Sequence, residues 1–225
     1  MDILSGLFDY IVSFYRPLPA LIGVRHRCLD EIAMVESYIP SFVQRIGIEL
    51  PVDYEDMEKK GVPIFYFGEL ARRLKEKSLD VIALESRGLY RAALAISGAL
   101  QIRKCEAVGI KSSLGSISSR ADLVRDIKWR KLGITCGDPY RAPELTRDTD
   151  YAFSHFLAAD EDILYALDRY PTPESAQFAM DQLTIRRDRY MLDIIIKEGL
   201  SLAVVGAAHA RNMMDGLTGY RFIQT

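Results

Sequence analysis

The amino-acid sequence predicts one α/β domain spanning residues 1–225, in which a mostly parallel or mixed central sheet is flanked by helices. Two observations predict this fold class. Short apolar runs alternate with stretches of helical spacing, as in folds where helices cover a largely parallel sheet. The 225 residues are 49% hydrophobic and 27% charged, which is typical of a folded globular chain rather than a disordered one.

Five short apolar runs are the strand candidates, namely ALIG (20–23), RIGIEL (45–50), VPIFYF (62–67), DVIALE (80–85) and LAVVG (202–206). Helical spacing covers residues 30–38, 68–77 and 89–102. Thr172 and Pro173 supply a cap and a first-turn proline for a longer helix that runs to Glu198 and stops at Gly199. Serine and glycine in residues 106–120 predict a strand followed by a mobile loop, and residues 136–150 read as a loop.

Composition and charge exclude several classes of partner. Lysine and arginine total 29 against 31 aspartate and glutamate, so the net charge of −2 gives no overall attraction to nucleic acid. No apolar run is long enough for an integral membrane segment. Cys28, Cys105 and Cys136 are scattered, without a C-x-x-C pair, which favours a reducing cytoplasm. Residues 3–14 carry apolar side chains on more than one side of a helix, and we expect them to form a homo-oligomer contact.

Two of the three histidines end nearly identical stretches, ALIGVRH (20–26) and AVVGAAH (203–209). Each histidine follows by three residues a glycine that closes a predicted strand, where glycine allows a sharp turn. The strand ends of an open α/β sheet meet at one edge, so we expect His26 and His209 to lie together. A helix starting at each histidine would keep the imidazole neutral and able to bind a metal. His155, on an aromatic helical face, is expected to be a packed histidine instead.

A third metal ligand is predicted at Glu49, beside the end of the next strand. Two histidines and one glutamate form a catalytic zinc set that leaves a position for water, and similar oxygen-richer sites take manganese. Glu85 also ends a strand and competes with Glu49 for this role, unless it forms a surface pair with Arg87. The alternative for the motif itself is a strand-to-helix turn with a hydrogen-bonded histidine, but two matched copies favour a site.

Arginines offer two further hypotheses. Arg186, Arg187 and Arg189 cannot share one face of a helix, so at least one is a solvated charge. We expect Arg187 to face the histidines and stabilise an oxyanion, or Arg186 if the helix is rotated by one residue. Arg25 and Arg27, beside the first histidine, raise the alternative of an anion site that needs no metal.

The stretches LIGVRH, IGIELP, RRDRYMLDIIIKEG and LAVVGAAHARNM, in this order and spacing, resemble the TraB/PrgY family, which is related to the Tiki, erythromycin-esterase and ChaN proteins. The resemblance spans roughly residues 18–216. Its most specific part is the long helix that carries Arg187, Asp188, Tyr190 and Met191 directly ahead of the last Gly-x-x-His. It implies an erythromycin-esterase/ChaN-like α/β fold in which paired Gly-x-x-His motifs, a glutamate and an arginine share one site.

The resemblance also implies an activity. Tiki proteins are metal-dependent proteases, the wider group includes an esterase with a histidine and glutamate mechanism and a haem-binding member, and TraB and PrgY are associated with shutting down peptide pheromone signals. By this likeness we expect a metal-dependent hydrolase of the peptidase kind, acting on a peptide or small molecule. His26, His209 and Glu49 would bind zinc, manganese or cobalt, and Glu49 and Arg187 would be catalytic. The alternative is a non-catalytic protein that binds a peptide, haem or an anion in the same pocket.

Overall fold

The computed structural model describes residues 19–25, 31–59, 65–107 and 160–224. Within these ranges the strands are β1 (Ala20–Val24), β2 (Arg45–Pro51), β3 (Asp80–Glu85), β4 (Leu202–Gly206) and β5 (Arg221–Gln224). The α-helices are α1 (Glu31–Ser37), α2 (Tyr54–Lys59), α3 (Phe65–Glu76), α4 (Arg87–Ala107), α5 (Asp160–Arg169), α6 (Pro173–Lys197) and α7 (Ala207–Met213), and a 3-10 turn covers Met214–Gly216.

The strands form one parallel sheet in the order β3-β2-β4-β1-β5. This confirms the predicted α/β fold class. Val24 at the end of β1 pairs with Gly206 at the end of β4, and Ile48 of β2 pairs with Val204. The carboxyl ends of these three neighbouring strands therefore meet at the same edge of the sheet, where ligands bind in open α/β folds.

Alternation along the strands divides the apolar side chains between the two faces of the sheet. One face packs on α1 and α3 through a cluster that includes Ile22, Ile46, Ile48, Leu50, Val204, Ile32, Leu70 and Leu74. The opposite face packs on α6 and α7 through Leu21, Leu84, Ala203, Val205, Met191, Ile195 and Ala210. Both faces are covered, which explains why these strands read as almost continuous apolar runs.

A third apolar cluster joins α4, α5 and α6, with Ala99, Ile102, Ile163, Leu167 and Leu183 among its buried members. Arg103 of α4 donates to the main-chain oxygens of Leu167 (2.8 Å) and Tyr170 (3.2 Å). These are acceptors that the end of α5 cannot satisfy itself. Since Arg91 pairs with Asp162 at the other end, α4 and α5 run in the same direction.

The boundaries of α6 follow the signals in its sequence. Thr172 accepts a hydrogen bond from the Ser175 amide (3.2 Å), and the Thr172 amide donates to the Ser175 hydroxyl (3.1 Å), so the two residues form a capping box. Gly199, just beyond the helix, has a φ of 60°, a conformation that glycine adopts without steric cost. The predicted start and stop of this helix are confirmed.

Two predictions about the elements need correction, and one strand was missed. The predicted strand VPIFYF is wrong for residues 65–67, which begin α3, and residues 62–64 lie outside the described ranges. Tyr66, Leu70 and Leu74 recur every four residues and bury one helical face against the sheet, and this periodicity outweighs the local β propensity. β5 was not predicted. Residues 106 and 107 extend α4, while the rest of the predicted segment 106–120, the loop 136–150 and the N-terminal stretch lie outside the described residues.

Gly23 has a packing role rather than the predicted turning role. It lies inside β1, and a Cβ placed on it would lie 2.7 Å from Phe222 Cε2 and 2.9 Å from Ala210 Cβ. Glycine at this position therefore allows α7 to approach the sheet closely. Gly206 has φ −56° and ψ 141°, so the turn from β4 into α7 needs no left-handed backbone.

In the part of the chain that the structure describes, no helix combines the length and apolar character needed to cross a membrane.

Candidate active site

Five polar side chains lie together where the strands end. Glu49 is near the end of β2, Glu85 is the last residue of β3, and His209 lies in the first turn of α7, directly after β4. Arg187 and Asp188 come from the middle of α6. All five are buried, with 0% to 8% of their surface exposed. The structure thus brings three of the four predicted site residues into one cluster, and the fourth, the histidine at position 26, lies outside the described residues.

A β-bulge lies beside this cluster. Ile48 pairs with Ala83 and Pro51 pairs with Glu85, so β2 has one more residue than β3 between these pairs. Bulges disturb the alternation of side chains between the two faces of a sheet and often adjoin functional sites. Here Leu84 packs in the cluster that includes residues of α6, and the adjacent Glu85 also reaches α6.

Arg187 links two strands to α6. Its Nη2 donates to Glu49 Oε1 (2.8 Å) and Glu85 Oε2 (2.9 Å), and its Nε donates to Glu85 Oε1. The guanidinium fork therefore grips Glu85 with two parallel bonds while it also holds one oxygen of Glu49.

The surface pair proposed for Glu85 is wrong. Glu85 is fully buried and pairs with Arg187, while Arg87 pairs with Asp53 at 3.2 Å. The neighbouring Arg186 and Arg189 are exposed, so Arg187 is the arginine of this helix that faces the cluster.

His209 is held in one orientation. Its Nδ1 contacts Asp188 Oδ1, and Asp188 Oδ2 accepts a hydrogen bond from Asn212 Nδ2 at 2.8 Å. Its Nε2 then faces Glu49 Oε1 at 3.5 Å. The other oxygen of Glu49 accepts a hydrogen bond from the Gly206 amide at 2.6 Å. A carboxylate on one ring nitrogen fixes the orientation of an imidazole and leaves the other nitrogen for a proton or a metal ion.

Charge in the cluster is unbalanced. Among the described residues, the buried carboxylates of Glu49, Glu85 and Asp188 face the single buried guanidinium of Arg187. Burial raises the pKa of Glu85, against the opposing effect of Arg187. Burial opposes the charge of Arg187, but Glu85 and Glu49 raise its pKa above the ordinary value. The net negative charge favours an additional cation.

The pKa of His209 corrects one expectation. Its position in the first turn of α7 was expected to keep the ring neutral, and burial does lower its pKa. Glu49 and Asp188 act in the opposite direction, and the resulting pKa lies above the ordinary value. Nearby carboxylates outweigh the helix terminus because they are full charges in a buried setting.

Asp188 and Asn212 were not predicted as site residues. Asp188 stood beside Arg187 in the stretch RRDRYM, and a histidine proposed as a metal ligand implies a carboxylate on its second nitrogen. That signal could have found Asp188. Asn212 gives no comparable signal, because its role depends only on its position one turn after His209.

Two side chains of the predicted metal set lie close to each other. Bonds of about 2.0–2.2 Å to one ion put neighbouring ligand atoms about 3–3.5 Å apart, and His209 Nε2 and Glu49 Oε1 are separated by 3.5 Å. The described residues contain no group of three or more His, Cys, Asp or Glu side chains arranged to hold an ion, so a metal ion at this position would need a third ligand from outside the described residues. Val24, which pairs with Gly206, is two residues before the predicted ligand His26.

The remaining predicted side chains divide between exposed and undescribed positions. Arg25 is exposed. Arg27, His155, Cys28 and Cys136 lie outside the described residues, and the side chain of Cys105 is also outside them. The anion site, the packed histidine and the reducing compartment therefore stay predictions.

A comparison of this chain with protein-family models, curated proteins and solved structures found no match. The TraB/PrgY resemblance therefore depends on the motifs in the sequence alone.

Proposed function

We propose that this chain is a metal-dependent hydrolase that cleaves peptides and is related to the TraB/PrgY family. One observation carries the proposal: His209 Nε2, oriented through Asp188, faces Glu49 Oε1 at 3.5 Å inside a buried cluster with excess negative charge. A neutral imidazole nitrogen beside a carboxylate oxygen is a donor pair that divalent zinc, manganese or cobalt accepts. A divalent ion would also balance the buried carboxylates.

The ligands in this proposal are His209, Glu49 and His26. When bound, the ion would polarise a carbonyl and lower the pKa of a coordinated water. Asp188 accepts a hydrogen bond from the Nδ1–H group of His209 and so leaves Nε2 available as a ligand. Arg187 and the Gly206 amide hold the Glu49 carboxylate in place.

Glu49 acts as a ligand in this account, because one carboxylate cannot easily be both ligand and general base. Glu85, gripped by the fork of Arg187, sets the position of that guanidinium. Arg187 keeps the predicted role of stabilising an oxyanion in this proposal. We place the protein in the cytoplasm on the basis of its scattered cysteines.

A second candidate function follows from the same contacts. Both oxygens of Glu49 already accept hydrogen bonds, and the raised pKa of His209 lets a protonated ring supply the missing cation. The pocket would then bind a peptide, haem or an anion without turnover.

Metal content separates the two functions. We expect the purified protein, expressed without chelators, to retain about one zinc, manganese or cobalt ion per chain, as measured by plasma mass spectrometry. His209→Ala and Glu49→Gln should lose the ion and the hydrolysis of a peptide pool. His155→Ala, a matched histidine control, should keep both.

Circular dichroism of each variant distinguishes lost ligands from lost folding. A folded parent that takes up none of the three ions, and whose peptide binding survives His209→Ala, would contradict the hydrolase and support the binding protein.

A further inference from the structure

A groove of about 460 Å³ lies between α4 and α5, separate from the buried cluster. Its apolar lining comes from Ala92, Ala95, Ile96 and Ala166, three of which are alanines. Small side chains on both helices leave room between the backbones. Ligand sites in proteins typically enclose about 300–1,000 Å³ with a mainly apolar lining and a few polar groups. The groove has the size and composition of such a site.

The near end of the groove adjoins the sheet edge. It is lined by Gly88, which follows Glu85 of the buried cluster by three residues. Ser86 lies between Glu85 and α4. Its hydroxyl accepts a hydrogen bond from the Leu89 amide (3.2 Å) and so caps the start of α4 directly after β3. A Cβ placed on Gly88 meets no atom within 4 Å, so this end is open.

Charge distinguishes the two ends. At the near end Arg91 is paired with Asp162 at 2.7 Å. At the far end Arg169 contacts the Tyr165 hydroxyl at 3.4 Å, and it has no carboxylate partner among the described residues. Hydrogen bonds to the neighbouring tyrosines raise the pKa of Arg169 above its ordinary value. A guanidinium with its donors available is suited to a carboxylate.

The length of the groove limits what can lie in it. Gly88 and Ile96 lie eight residues apart on α4, or about 12 Å at a rise of about 1.5 Å per residue. An extended peptide rises about 3.3 Å per residue, so the groove accommodates three to four residues.

We infer that this groove is the substrate cleft for a short apolar peptide whose free terminal carboxylate binds Arg169, with the bond to be cleaved lying toward the sheet edge beyond Gly88. The assignment rests on the proposed hydrolase function, and it names the substrate class of that site. It also predicts binding that needs no metal, because none of the groove residues belongs to the buried cluster.

The test compares two probes on the full chain carrying His209→Ala, which prevents turnover. One probe is a blocked tetrapeptide of alanine and leucine with a free carboxyl end, and the other is its amide. Because Arg169 is exposed, calorimetry should show that the acid binds about two- to fivefold more tightly than the amide. Arg169→Gln should remove that preference, and the exposed control Arg189→Gln should keep it.

Gly88→Leu provides a second variant that does not depend on charge. Leucine should fill the open near end and weaken the binding of both probes at least about tenfold. Because leucine favours a helix more than glycine does, the thermal midpoint should stay the same or rise. Weak binding in this variant therefore cannot be explained by unfolding.

Three outcomes would overturn the cleft: neither probe binds, Arg169→Gln keeps the preference for the acid, or Gly88→Leu binds both probes as the parent does. A fatty acid of similar length that binds as tightly as the peptide acid would overturn the peptide assignment. If the parent hydrolyses peptides and neither Arg169→Gln nor Gly88→Leu changes that activity, the groove is not the substrate cleft, but the hydrolase function stands. If the groove binds the acid in preference to the amide, but the parent holds no metal and cleaves no peptide, the groove is a peptide-binding site and the hydrolase function is wrong.

Discussion

Replacing Arg187 with lysine keeps the positive charge of the buried cluster but removes the guanidinium fork. Arg187 makes three charge-assisted hydrogen bonds, two to Glu85 and one to Glu49. The single ammonium of lysine cannot reproduce this planar arrangement, and we expect it to keep one of the three contacts. Two lost bonds at a low-end value of about 1.5 kcal/mol each reduce the free energy of unfolding by about 3 kcal/mol.

Thermal unfolding followed by circular dichroism measures this loss. For a chain of this size, about 3 kcal/mol corresponds to a fall in the thermal midpoint of roughly 6–12 °C. Arg186→Lys, at the exposed neighbouring position, should change the free energy of unfolding by less than about 0.5 kcal/mol. The ion should stay bound in Arg187→Lys, because neither histidine nor glutamate ligand is removed, while the turnover of peptides should fall.

Equal midpoints for the two lysine variants would refute the role of Arg187 in joining β2 and β3 to α6. If Arg187→Lys is less stable but each folded molecule turns over peptides at the parental rate, Arg187 has the structural role and does not stabilise an oxyanion.

Three further predictions concern the packing and the cluster. Gly23→Ala should lower the free energy of unfolding, measured in urea, by about 1–3 kcal/mol, because the added methyl group overlaps the neighbouring side chains. Gly88→Ala, in the open groove, should raise the free energy of unfolding by up to about 1 kcal/mol. Equal effects would contradict the close approach of α7. Asp188→Asn should weaken metal binding about 10–100-fold in a chelator competition, and Asp181→Asn, on the exposed side of α6, should not. The raised pKa of His209 stabilises the metal-free protein below about pH 6.5, and this contribution is lost as the pH rises through the folded pKa. The thermal midpoint of the metal-free parent should therefore fall relative to His209→Gln as the pH rises above about 6.5, and a constant difference would show that the carboxylates do not hold a proton on this ring.

Much of the sheet could be predicted because its strands are covered on both faces. β1, β2 and β4 carry buried side chains almost continuously, and β3 is half-buried until its last two residues, which are buried, so all four appear in the sequence as apolar runs. β5 has four residues with exposed ends and only Phe222 and Ile223 between them, too short a signal to predict a strand. α3 was mistaken for a strand at its start because Tyr66 and its aromatic neighbours favour β structure locally, and burial by tertiary packing decided the conformation.

The site could be predicted as far as strand ends determine it. Glu49 and His209 lie close together because parallel strands end at a common edge, and Arg187 reaches them from the helix that precedes β4. The partner of Glu85 could not be predicted, because Arg187 is 102 residues away in sequence and Arg87 is nearby. Such pairing depends on how α6 packs across the sheet, and the sequence alone does not define that rotation.

Anomalous X-ray diffraction from crystals loaded with zinc or manganese tests the central claim most directly, because it locates the ion. The account predicts an anomalous peak at bonding distance, about 2.0–2.2 Å, from both His209 Nε2 and Glu49 Oε1. His209 Nδ1 should still hydrogen-bond Asp188, and Arg187 should still donate to Glu49. Crystals soaked in saturating zinc or manganese that show no anomalous peak between these two atoms, and in which His209 Nε2 still hydrogen-bonds Glu49, would contradict the metal site.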